Sequence, residues 1–170
     1  MVQAYGGNRQ SALAIFLEQE MLDILCLQEH RLTDVSDMKR EMVKIPGYVS
    51  FWSFSEKEQK GYSGVAMYVR EGLVTEVFEG FHCDEFLIAG DEGRILTAKL
   101  GGLKMVIVNV YVPNAQSDGG VVELRQTGKM EFLAALDKHV EYYQEEGWKV
   151  ILVGDLNMAH HPIDVSSVQK

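Results

Sequence analysis

Cysteine is scarce: Cys26 and Cys83 are the only two in 170 residues. Two thiols build neither a disulfide framework nor a four-ligand zinc site, and a reducing, intracellular compartment is expected. There are three prolines, and no Pro/Ser/Gly linker, repeat or low-complexity tract divides the chain, so one domain is expected over 1–170. No apolar run approaches the ~18 residues of a membrane span. The opening Met1-Val2-Gln3-Ala4-Tyr5-Gly6-Gly7 lacks the basic cluster and apolar stretch of a secretory signal. Positive charge is also short: 16 Lys and Arg stand against 25 Asp and Glu, a net −9. A module that holds nucleic acid by neutralising phosphates presents the opposite balance. An enzyme that meets phosphate through a metal ion stays open, because the cation supplies the positive charge. What is present, 46% hydrophobic and 24% charged residues, suits an ordinary globular chain and excludes collagen, coiled coil and intrinsic disorder.

Hydrophobic periodicity alternates between helix and strand. Leu13, Phe16, Leu17 and Met21 share one face of a helix expected over 9–21. Ile24-Leu25-Cys26-Leu27 reads as a strand covered on both faces. A short helix is expected over 34–43, closed by Pro46-Gly47. Three strand-like pieces follow, Tyr48 to Phe54, Tyr62 to Val69 and Leu73 to Phe78, with a polar turn at 56–61. Ile95 to Leu100 and Leu103 to Tyr111 flank Gly101-Gly102, a pattern that predicts a type I′ hairpin. After a loop around Ser117-Asp118-Gly119-Gly120, a long helix is expected over 122–146. Met130, Leu133, Ala134, Val140 and Tyr143 lie near one of its faces, and Gly147 stands at C′. Lys149 to Val153 is the last strand. Hairpins mixed with helix-covered strands predict an α/β or α+β sandwich.

Two of these strands run into acids. Ile24–Leu27 leads into Gln28-Glu29, and Val150–Val153 into Gly154-Asp155-Leu156-Asn157. Sites in α/β proteins form at the carboxyl ends of strands. Were the two strands parallel neighbours, Glu29 and Asp155 would meet at one sheet edge, and two carboxylates completed by water suit Mg²⁺ or Mn²⁺. Each acid taken singly reads as a solvated loop residue. Asn157 can orient a water or a phosphate oxygen, or close an Asx turn. Strand alternation puts Tyr111 on the face of Asn109, where its phenol is either a phosphate donor or a core hydroxyl. Gly61-Tyr62-Ser63-Gly64 permits a close backbone approach or a bulge. Glu92-Gly93-Arg94 reads as a surface turn whose arginine can hold an anion or a carboxylate. Phe51, Trp52 and Phe54 can stack bases or fill the core. The five histidines have no zinc spacing and read as solvated loop residues.

Taken together, Leu25-Cys26-Leu27-Gln28-Glu29, Gly61-Tyr62-Ser63-Gly64-Val65-Ala66, Glu92-Gly93-Arg94, Asn109-Val110-Tyr111-Val112-Pro113-Asn114-Ala115 and Gly154-Asp155-Leu156-Asn157-Met158-Ala159-His160 resemble the exonuclease III-like apurinic/apyrimidinic endonucleases, within the endonuclease/exonuclease/phosphatase superfamily. Order and spacing match across ~10–164. Ser53-Phe54-Ser55 and His161-Pro162-Ile163-Asp164 look most like the second eukaryotic branch, in which 3′-end processing outweighs abasic-site incision.

The resemblance implies a four-layer α/β sandwich, two mostly antiparallel sheets with helices outside, and Mg²⁺- or Mn²⁺-dependent hydrolysis of DNA at abasic sites or 3′-blocked ends during base-excision repair. By the same resemblance Glu29 is a metal ligand, Asp155 engages the attacking water or the metal, Asn157 orients that water, and Tyr111 contacts the phosphate. Asn114 and Arg94 line the DNA or buttress the site. A nuclear location is the default for a eukaryotic relative. The family's opening Trp-Asn-x-Asn-Gly strand and its later Ser-Asp-His segment have no counterpart here, so the N-terminal half to two-thirds of the fold is expected, with little turnover by this segment alone. Two other readings stand beside this one: a retroelement-type endonuclease or superfamily phosphatase with the same metal chemistry, and a non-catalytic fragment.

Overall fold

In a computed structural model of the chain, residues 11–55, 61–82, 92–114 and 122–164 are described. The sequence features at 9–10, 56–60 and 117–120, and Cys83, lie outside them. Strands β1 (Ile24–Gln28), β3 (Val65–Arg70) and β2 (Tyr48–Ser53) form an antiparallel sheet in that order. A second sheet runs β4 (Glu76–Glu79), β5 (Ile95–Leu100), β6 (Met105–Tyr111), β7 (Lys149–Asp155). Its first two pairings are antiparallel, whereas β6 and β7 are parallel, Met105 opposite Lys149 through Tyr111 opposite Asp155. Parallel neighbours need a crossover. Here α3 (Val122–Glu145) supplies it.

The sheets pack face to face through Val65, Met67 and Val69 of β3 and Leu96, Ala98, Leu100 and Ile107 opposite. Helix α1 (Ala12–Gln19) covers the first sheet, with Leu17 against Tyr48 and Tyr68. Helix α3 covers the second, with Phe132 and Leu136 against Ile95, Val108 and Val110. The four layers expected from the resemblance are therefore present. Strand β3 is buried on both faces, which is why it reads as an unbroken apolar run rather than an alternating one.

Several local expectations are corrected. Ser11 caps α1, its Oγ accepting the Ala14 N–H at 3.2 Å. The helix stops at Gln19 because Met21 turns left-handed, φ 50°. Ala14 and Leu17 form the buried stripe, and Phe16 and Met21 point outward. The helix over 34–43 is instead a 3₁₀ turn, Val35–Asp37, followed by the four-residue α2 (Arg40–Val43). The Gly101-Gly102 hairpin is longer than a type I′ turn. Gly101–Leu103 make a 3₁₀ turn and Lys104 closes it in the left-handed region, its N–H on Gly101 O at 3.2 Å.

On α3 the buried stripe is Phe132, Ala135, Leu136, His139 and Tyr143, whereas Met130 and Ala134 are exposed. The cause is His139, a polar residue at the centre of an apolar face. Its Nδ1 accepts the His82 N–H (3.1 Å), and its Nε2 lies 2.8 Å from Thr97 Oγ1. Burial pulls its pKa down to about 4. The helix ends in a Schellman motif, Gly147 N–H on Gln144 O (2.9 Å) and Trp148 N–H on Tyr143 O (2.8 Å). Burial pushes the Cys26 thiol up to about 12, which makes it a small hydrophobe. Among the described residues β7 is the outer strand of its sheet, with Ile151 42% and Leu152 40% exposed.

Candidate active site

Glu29 and Asp155 do not come from neighbouring parallel strands. Glu29 follows β1 in one sheet and Asp155 ends β7 in the other. Tyr111, the last residue of β6, connects them. It pairs in register with Asp155, and the Glu29 and Asn157 side chains lie close enough to shift its phenol. Burial pushes the phenol up, and the Glu29 carboxylate pushes it further, against the pull of Arg94 and Asn157. Tyr111 therefore stays protonated at neutral pH and can donate to an anion.

The sheets are held in this relation by Asn109, two residues earlier on the same face of β6. It is fully buried, and its Nδ2 donates to Leu27 O (3.1 Å) and Ala66 O (3.0 Å) of the first sheet. Its Oδ1 accepts from Gln28 Nε2 at 2.6 Å. A buried amide with partners of this kind fixes register where packing alone permits sliding. Alternation had placed Asn109 with Tyr111. Its service to the opposite sheet was not legible, although a lone amide inside an apolar run was the available signal.

Gly154 positions Asp155. It takes φ 135°, and a Cβ there would meet Val110 O at 1.9 Å. Only glycine lets β7 approach β6 so closely. Beyond it Asn157, itself left-handed at φ 48°, donates its N–H to Asp155 Oδ1 (2.8 Å) and its Nδ2 to Val112 O (2.7 Å). Lys129 Nζ donates to Asn157 O at 2.7 Å. Burial lowers the Lys129 pKa and the Asp155 charge raises it. Lys129 was not singled out from sequence because nothing in a helix pattern marks which surface lysine turns toward a strand end.

Arg94 is 2% exposed, so the surface-turn reading of 92–94 fails. Gly93 is buried too, and a Cβ on it would meet the Phe54 carbonyl carbon at 2.5 Å. The Arg94 guanidinium lies between the Tyr62 and Tyr111 rings, 5.1 and 4.7 Å from their centroids. It donates to Glu92 (2.5 Å), the Tyr62 hydroxyl (2.5 Å) and Tyr111 O (3.2 Å). Its position is that of a buttress under Tyr111 rather than a group open to substrate. Asn114, beyond β6, is exposed. Phe51 and Trp52 are half-buried, each packed against a core cluster on one side and lining a surface cavity with Phe54 on the other. The histidine reading holds for the exposed His160 and His161 and fails for His30 and His139, both of which are hydrogen-bonded inside the fold.

Arg31 forms an ion pair with Glu29 at the open end of the site. Among the described residues no group of three or more His, Cys, Asp or Glu gathers to cage a metal. The donor chemistry fits an ion that needs fewer. Mg²⁺ and Mn²⁺ bind through one or two carboxylates, with water and phosphate oxygen completing the shell. Glu29 and Asp155 are hard oxygen donors, Asp155 in register with Tyr111 and Glu29 near enough to shift its phenol, and Arg31 already brings a cation to Glu29.

The chain is similar to known proteins in sequence and in fold. The family model for the Endonuclease/Exonuclease/phosphatase family matches residues 4–170. The mouse DNA-(apurinic or apyrimidinic site) endonuclease 2 is 35% identical over 91% of this chain, and the chain spans about a third of that relative, 34%. The APE2 catalytic domain from Xenopus laevis superposes with a TM-score of 0.71 at 27% identity, covering 94% of this chain and 58% of that one. The 3′ phosphatase NExo from Neisseria, bound to a product DNA hairpin, superposes with a TM-score of 0.63 at 25% identity, covering 89% and 55%. With its motifs in order and its two sheets matched, the chain belongs to the endonuclease/exonuclease/phosphatase family.

Proposed function

We propose that this protein hydrolyses phosphodiester bonds of DNA in repair, acting at abasic sites and 3′-blocked ends with Mg²⁺ or Mn²⁺. The observation that carries the reading is Tyr111 paired in register with Asp155 at the end of β6 and β7, with Glu29 and Asn157 near enough to shift its phenol. A bound divalent ion, held by Glu29 and Asp155, would neutralise phosphate charge. Tyr111, kept protonated by its surroundings, donates to a phosphate oxygen. Asn157, braced by Asp155, Val112 and Lys129, presents its amide beside that oxygen. Arg94 keeps the Tyr111 ring in place from below. Such donors act by being fixed before charge develops. The repair relatives' names and the DNA-bound neighbour support DNA as the substrate.

The test has two arms. Mn²⁺ titration of the chain should show one site, measurably weakened in Glu29→Gln and in Asp155→Ala. Cleavage should be compared on an abasic duplex, a nicked duplex with a 3′ phosphate, and an inositol phosphate. Turnover on either DNA that falls about 100-fold or more in Asp155→Ala supports the reading. Hydrolysis of the inositol phosphate alone, or Mn²⁺ binding indifferent to both substitutions, overturns it. Turnover by residues 1–170 alone is expected to be weak, since this segment spans only part of its relatives.

A further inference from the structure

Glu29 sits in a contorted stretch of backbone. Glu29, Arg31 and Ser63 are all left-handed, at φ 55°, 57° and 56°. Non-glycine residues rarely adopt this region, and three together persist only where their surroundings over-determine them. The regular β1–β3 ladder ends at Gln28 opposite Val65. Beyond it the two strands stay joined by His30 N–H on Gly64 O (3.2 Å) and Arg31 N–H on Ser63 O (3.0 Å).

Between the two left-handed residues stands His30, and every face of its ring is engaged. Nδ1 accepts the Leu32 N–H at 3.1 Å. That fixes the ring proton on Nε2, which donates to Ser53 O at 2.9 Å. One face lies so close to Gly64 that a Cβ there would be 2.2 Å from Cε1. Trp52 and Phe54 meet the ring at 5.3 Å each, edge-on. One imidazole therefore ties the 29–32 stretch to the end of β2 and to the Gly61–Gly64 segment.

We propose that His30 is a positioning residue that acts through Glu29. It holds the left-handed turn that aims the Glu29 carboxylate at Tyr111, with Gly64 as the slot that admits the ring. This inference rests on the reading of Glu29 as a metal ligand and adds the residue that places it. Sequence pattern placed His30 only beside Glu29. The glycine opposite, 34 positions away, supplies the other half of the device.

The experiment removes the ring and puts it back. In His30→Gly, Mn²⁺ affinity should fall about 10–100-fold, the usual loss when a group supporting a ligand is removed. Millimolar imidazole should fill the slot and restore most of it. 1-Methylimidazole should not, because it has no N–H for Ser53 O. In a Glu29→Gln background the same substitution should weaken Mn²⁺ binding no further, since His30 works only through that carboxylate. Unchanged affinity in His30→Gly, an equal loss in the Glu29→Gln background, or failure of imidazole to restore binding overturns the proposal. Should His30→Gly not fold, His30→Asn gives the same readings apart from rescue.

A reading without metal separates this proposal from the one beneath it. An NMR contact between the Tyr111 ring and the Glu29 side chain should vanish in His30→Gly and return with imidazole. Wild-type protein that shows this behaviour yet binds no Mn²⁺ sinks the metal reading and upholds the His30 device. A Tyr111–Glu29 contact that persists in His30→Gly sinks the device.

Discussion

The middle of the sandwich and its active-site end are built by different rules. In the middle, strands are regular, burial follows strand alternation or full coverage, and partners across the sheets are Val, Leu, Met and Ala. At the site end, Glu29, Arg31, Ser63 and Asn157 account for four of the six left-handed non-glycine residues among those described, and glycines admit backbone or ring contacts that a Cβ would forbid. The remaining two, Met21 and Lys104, merely end a helix and close a turn. Apolar packing is tolerant of exchange among similar residues. Bringing Glu29 and Asp155 from two sheets to one end of the sandwich requires particular conformations, and these are unfavourable in isolation. The contrast places stability in the middle and gives part of it up at the end that holds the candidate site.

Substitutions can break that contrast. The largest expected effect is Gly154→Ala, which forces a Cβ against Val110 O in a backbone region that L residues avoid. A loss of about 4 kcal/mol in denaturant unfolding is expected, and a loss below about 1 kcal/mol would show that β7 is not held to β6 as described. Next comes Arg94→Lys. An ammonium cannot span Glu92, Tyr62 and the Tyr111 carbonyl as a planar fork does. Unfolding should show a cost of about 3 kcal/mol, with Tyr111 loosened in NMR spectra.

The pH dependence sharpens the comparison from the other side, because His139 belongs to the body of the fold. Its folded pKa, about 4, lies below the ordinary 6.5. Between those values the unfolded chain binds the extra proton, so stability is full above about pH 6.5 and falls as pH drops toward 4. The slope should reach about 1.4 kcal/mol per pH unit. His30, pulled down by burial as well, adds to it in the same direction. Unfolding free energies across this range should show a shallower slope in His139→Gln, and an unchanged slope would remove His139 as the cause. The smallest effect, about 1 kcal/mol, is expected for Ser11→Ala, which removes the α1 cap far from the site. It should lower stability and leave Mn²⁺ binding untouched.

Much of the architecture was legible because hydrophobic period is a local property. The run at 24–27, the strands ending at 100 and starting near 103, the long helix and Gly147 at its end all lie close to where the pattern put them. The stripe on α3 was displaced because His139 counts as polar until its partners, His82 and Thr97, are known. Arg94 was placed in a surface turn for the same reason: a charge reads as exposed unless something distant buries it. The resemblance gathered the motif residues Glu29, Tyr111, Asp155 and Asn157 into one site, but not the route, which runs from strands of two sheets rather than from parallel neighbours.

By itself the sequence determined where most of the helices and strands lie, that apolar layers form, and which residue types stand at strand ends. Those properties depend on neighbours a few positions apart. Only the tertiary structure decided that Glu29 and Asp155 approach from opposite sheets, that Asn109 locks those sheets, and that Gly64 and Gly154 are glycine to admit a ring and a carbonyl. Each of these is a contact between residues dozens of positions apart. No local pattern records such a contact until the layers close and bring the two surfaces within a van der Waals radius.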